Sequence, residues 1–81
     1  MRAFVVTLDR VADIIETAKS DDLGSAIRHA HRMQAYADAR NPHHYRVSIH
    51  TDDADYATDT GYSDGLTTDE RDLVHEEGFS T

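Results

Sequence analysis

The sequence predicts a small α/β domain of the α+β kind, with elements in the order β-α-α-β-(β)-α and a sheet covered by helices. Three observations lead there. Apolar residues alternate with a period of two near each of two segments, Phe4–Leu8 and Tyr45–Thr51, and recur at spacings of three and four through residues 11–37. The third is size: 81 residues, 38% hydrophobic, make one domain, because so short a chain buries only about 60% of its surface.

Arg2, Phe4, Val6 and Leu8 alternate with Ala3, Val5 and Thr7, and apolar residues occur in both sets. This predicts a central strand over residues 2–8, covered on both sides. From Asp9 the pattern becomes Val11, Ile14, Ile15 and Ala18, which predicts a first helix capped by Asp9 and closed near Lys19. Ser20, Asp21 and Asp22 are cap candidates for a second helix, whose stripe is Leu23, Ala26, Ile27, Ala30, Met33 or Gln34, and Ala37. Pro42 stops it, since its ring disfavours helical geometry at Asn41. A second strand over 44–51 follows, with Tyr45, Val47, Ile49 and Thr51 on its buried side and Arg46, Ser48 and His50 on the wet side. Residues 56–60 read equally as a short third strand or an acidic loop before the Gly61–Gly65 turn. Thr67 with Glu70 forms a capping box, and Leu66, Leu73 and Val74 give a last helix its apolar contacts up to Gly78. The core so predicted contains Phe4, Val6, Leu8, Val11, Ile14, Ile15, Leu23, Ile27, Ala30, Val47 and Ile49. The strand and helix faces must be shared economically or completed by a second copy, which leaves room for a homodimer. The stretch Thr51–Ser63 is poor in large apolar side chains and should pack least well.

Charge is unevenly placed. Eight Lys and Arg against sixteen Asp and Glu give a net −8. Residues 1–51 carry seven cations and six anions, a net +1, whereas residues 52–81 carry ten carboxylates against Arg71 alone, a net −9. Such a chain repels nucleic-acid phosphates and anionic lipid, so neither direct nucleic-acid binding nor membrane attachment is expected. No apolar run approaches the roughly 18 residues of a membrane span, and the reading is cytoplasmic. Without Cys, neither disulfides nor a thiolate metal site supports the fold. One Lys beside seven Arg fits a GC-rich genome, with a halophile as the other account.

The motifs exclude more than they indicate. His29 and His31 stand about 200° apart on a helix and cannot share an ion. His44, His50 and Asp52 could share one strand face, but alternation alone produces such clusters. Counting Gly65 or Gly61 as the sixth position of a calcium loop puts Arg71 or Thr67 at the twelfth, where a carboxylate is required. The chain lacks a Cys nucleophile, a G-x-S-x-G elbow, a Gly-rich phosphate loop and an H-E-x-x-H pair, and pairs such as Asp52/Asp53 or Asp69/Asp72 lack apolar neighbours to separate their pKa values. No metal, cofactor or enzymatic activity is expected.

What remains is a binding surface. Asp69, Asp72 and Glu76 fall on one helical stripe, about 5–6 Å apart, close to the spacing of phosphates along a nucleic-acid strand. With Asp52, Asp53, Asp55, Asp59 and Asp64 they form the candidate partner-binding face, suited to Arg and Lys of a basic protein or ribonucleoprotein. The opposing reading is that these acids merely solvate a surface. A second candidate is Arg28 with Arg32, one turn apart, as a small anion- or RNA-binding or dimerisation patch. These arginines could equally pair with acids such as Asp22 or with the acidic segment of another copy.

In overall character, a short Cys-free acidic chain with a small α/β pattern, a GC-biased composition and an acidic Asp52–Glu77 segment, the sequence resembles small phage-encoded inhibitors of bacterial defence, especially anti-CRISPR proteins. The class shares no motif, so no functional residue is carried over from it. The resemblance implies a non-enzymatic protein, in the cytoplasm of a bacterial host, that sits on a CRISPR surveillance complex and blocks target DNA, with Asp52–Glu77 as the matching region.

Overall fold

The two alternating segments pair with each other directly. In the structure, a computed structural model that describes residues 3–11, 13–51 and 65–81, β1 (Phe4–Arg10) runs antiparallel to β3 (Tyr45–Thr51), with Phe4 opposite Thr51, Val6 opposite Ile49 and Leu8 opposite Val47. The other side of β1 is taken by β2 (Asp13–Ser20), giving an antiparallel sheet in the order β2-β1-β3. Two helices complete a single α+β domain: α1 (Leu23–Asp38) between β2 and β3, and α2 (Thr68–Glu76) near the C-terminus.

The segment after Asp9 is thus a strand and not the first helix, and the order among the described residues is β-β-α-β-α. A β-bulge explains the misleading spacing. Leu8 pairs with Glu16 but Asp9 pairs with Ile14, so Ile15 is an extra residue and two isoleucines oppose one aspartate. The bulge interrupts the period of two, so the Val11, Ile14, Ile15, Ala18 spacing imitates a helical stripe. Branching at Cβ in Val11, Ile14, Ile15 and Thr17 favours the extended chain, and β1 supplies a partner immediately before it. At the hairpin tip Val11 adopts φ +58, a left-handed conformation unfavourable for a β-branched residue. Its N–H donates to the His44 carbonyl at 3.0 Å.

The core lies between one face of the sheet and the two helices. Phe4, Val6, Leu8, Val47 and Ile49 from the sheet meet Ala26, Ala30, Met33 and Ala37 of α1, with Leu66, Val74 and Phe79 closing the end. Leu23 and Ile27 are partly buried at its border. Val11, Ile14 and Ile15, expected in the core, are 84%, 65% and 46% exposed, because they stand on the hairpin's tip and edge strand. Asp22 is the N-cap of α1: its carboxylate accepts from Ser25 N–H at 2.8 Å. The helix ends at Asp38, before a short 3-10 turn over Pro42–His44. His44 therefore precedes the strand and does not stand in its alternation with His50. On β3 the side expected to be wet is mixed: Arg46 is exposed and His50 half-buried, but Ser48 is buried. Residues 56–60, and all of 51–63 except the buried Thr51, lie outside the described residues.

Candidate acidic interface

The acidic face rests on how α2 is started and held. Thr67 caps it reciprocally: Thr67 Oγ1 accepts from Glu70 N–H at 3.1 Å, and Glu70 Oε1 accepts from Thr67 N–H at 2.9 Å. Glu70 is spent on this cap. Gly65, at φ +72, turns the chain into the helix, and its carbonyl accepts from Thr51 Oγ1 at 2.9 Å. Val74 is the one fully buried residue of α2 and fixes which side faces the core. Beyond Gly78, at φ +92, Phe79 enters the core and Ser80 lies parallel to Ser48 of β3.

With Val74 inward, Asp69, Asp72 and Glu76 point outward on one stripe and are exposed. Among the described residues none of the three has an ion-pair partner. Leu73, offered by the sequence as a packing residue, lies beside them and is 39% exposed. The stripe thus combines three carboxylates with one apolar side chain. Asp52, Asp53, Asp55, Asp59 and Asp64 fall outside the described residues, so their relation to this stripe is not part of the geometry.

Arg28 and Arg32 are both exposed on α1 but are engaged differently. Arg32 Nη2 donates to Glu16 Oε2 on β2 at 2.5 Å, and Arg28 Nη2 donates to Ser25 Oγ at 2.8 Å. The Arg32 hydrogen bond holds the Glu16 carboxyl below its ordinary range, with His29 adding a weaker pull. Glu16 in turn raises Arg32. Asp22 is likewise held low, chiefly by the Ser25 backbone N–H and then by its hydroxyl, with Arg28 contributing less. Arg28 thus bonds Ser25 beside the Asp22 cap and not Asp22 itself, and the partner of Arg32, Glu16, stands on β2 in a segment whose spacing predicts a helix.

His29 and His31 diverge as helical geometry requires: His29 lies toward Glu16, whereas His31 Nε2 sits 2.9 Å from Glu77 Oε2. Among the described residues no three His, Asp or Glu side chains gather closely enough to hold a metal ion. An open cleft of about 370 Å³ lies under the hairpin tip, lined by Asp9, Val11, His43, His44, Tyr45 and Arg46. Asp9 Oδ2 is 3.4 Å from Arg46 there. Sequence reasoning did not find this cleft, which joins two segments distant in the chain. Among the described residues no helix is long and apolar enough to cross a membrane.

Site and fold together define a three-stranded antiparallel sheet backed by two helices, one of which presents acids to solvent. No protein-family model, characterised protein or solved structure matches the chain.

Proposed function

We propose that this chain is a non-enzymatic inhibitor that uses its acidic face to occupy a basic surface built to receive nucleic acid, with a CRISPR surveillance complex as the partner and the cytoplasm of a bacterial host as the place of action. The observation that carries this reading is the state of Asp69, Asp72 and Glu76: all three are exposed on one stripe of a capped, core-anchored helix, without an ion pair among the described residues. A surface that served solubility alone would not need its charge gathered after residue 51. Arg and Lys already positioned for phosphates would meet these carboxylates at little ordering cost, and the stripe would speed encounter by electrostatic steering. The anion- or RNA-binding reading of Arg28 and Arg32 is weakened by the Arg32–Glu16 pair, which neutralises half of that patch.

The test is competition with DNA for a purified surveillance complex. Two folded variants are compared with the parent: Asp69→Asn, Asp72→Asn, Glu76→Gln together, and Asp52→Asn, Asp53→Asn, Asp55→Asn, Asp59→Asn together. If each carboxylate contributes about 0.2–1 kcal/mol, either set should weaken inhibition by at least about threefold and by up to about a hundredfold or more. Undiminished inhibition by both variants would sink the acidic-face mechanism. A gel shift with the parent at micromolar concentration would favour the arginine patch instead.

A further inference from the structure

Glu77 closes α2 in an electrostatically poor place. The C-terminal end of a helix carries partial negative charge, and Glu76 stands next to it. Its compensation comes from another element: Oε2 lies 2.9 Å from Nε2 of His31 on α1. The same imidazole meets Phe79 edge to face, with ring centroids 5.0 Å apart. Phe79 begins the segment that pins the C-terminus to the sheet. Its N–H donates to the Val74 carbonyl, Ser80 N–H donates to the Val47 carbonyl, and Ile49 N–H donates to the Ser80 carbonyl, at 2.9–3.1 Å.

We propose that His31 is a pH-dependent latch for this C-terminal unit, gripping Glu77 when protonated and loosening α2 and residues 79–81 when neutral. The sign follows from the groups around it. The cations nearest on its own helix, Arg28 and Arg32, are turned to Ser25 and Glu16. From α2, Glu77 provides the contact and Glu76 points outward on the acidic stripe, while His75 and Arg71 are directed to Thr81 Oγ1, at 3.4 and 3.5 Å. Protonation therefore turns a hydrogen bond between a neutral imidazole and a carboxylate into an ion pair. Where α2 is the docking face, a consequence that rests on the function proposed above, the latch makes presentation of the acidic stripe firmer in mildly acidic surroundings.

Hydrogen exchange of the Phe79 and Ser80 amides in the full chain, measured without any partner and corrected for intrinsic rates, reads the latch independently of that function. Between about pH 8 and about pH 5.5, either side of the ordinary histidine range, protection of both amides should rise by about two- to fivefold. In His31→Gln the response should vanish, and in Glu77→Gln, which keeps the His31–Phe79 contact, it should vanish too. His75→Gln should retain it. A pH response that survives both His31→Gln and Glu77→Gln, or that is lost only in His75→Gln, overturns the proposal. A failed latch leaves the competition experiment untouched, and failed competition leaves the exchange result standing.

Discussion

Arg32 of α1 and Glu16 of β2 join the helical layer to the edge strand of the sheet through a bond of 2.5 Å between residues sixteen apart in sequence. Both side chains keep substantial contact with solvent, so the pair orients two elements more than it stabilises them.

Its contribution should depend on pH with a definite sign. Glu16 ionises more readily folded than unfolded, so the pair's stabilisation is fully present above the ordinary carboxylate range and is lost as pH falls through the lowered folded value. Thermal melts of the parent and Arg32→Gln should differ at pH 7 and converge as the pH falls through the lowered folded value of Glu16, below which the carboxylate is protonated in both. A gap that persists unchanged at low pH would assign the effect to packing of the Arg32 stem.

The hairpin tip should be improvable. Val11 is exposed and left-handed, a conformation costing a non-glycine residue about 1–2 kcal/mol, whereas glycine adopts it freely at an entropic cost of about 0.5–1 kcal/mol. Val11→Gly should therefore stabilise the fold by about 0.5–1 kcal/mol in urea denaturation. Destabilisation instead would mean that the Val11 side chain makes a contact worth more than the strain.

The reassignment of the segment after Asp9 reverses the order of two residues, because Ile15 was expected in the core and Met33 only shared a stripe position with Gln34. Met33 is fully buried, and Met33→Ala should cost about 2–5 kcal/mol. Ile15→Ala, at the bulge, should stay within about 0.5 kcal/mol of the parent. Equal losses at both positions would put Ile15 back in a core.

The cap of α2 should be measurable by itself. Thr67→Ala removes the acceptor for Glu70 N–H and leaves Glu70 without its place in the reciprocal pair, at a cost of about 1 kcal/mol. Circular dichroism should show the loss at the helix as well as in the denaturation midpoint, while Thr68→Ala, one residue later and exposed, should leave both unchanged.

Much of the fold was written locally. The strand character of residues 4–8 and 45–51, the extent of α1, the Asp22 cap, the Thr67–Glu70 box and the turn at Gly78 all depend on interactions within a few residues, which a linear pattern records. The outward stripe of Asp69, Asp72 and Glu76 was legible for the same reason, since helical spacing and one buried residue, Val74, determine it. Tertiary structure decided the rest. Val11, Ile14 and Ile15 have a helix-like spacing in sequence, and only pairing with β1 through a bulge makes them strand. Leu73 carries the same apolar character as Val74, yet packing buries one and exposes the other. Arg32 finds Glu16 across sixteen residues, and His31 finds Glu77 across forty-six. Local periodicity carries no information about such partners, because which charges meet depends on how finished elements stack and not on the order in which their residues occur.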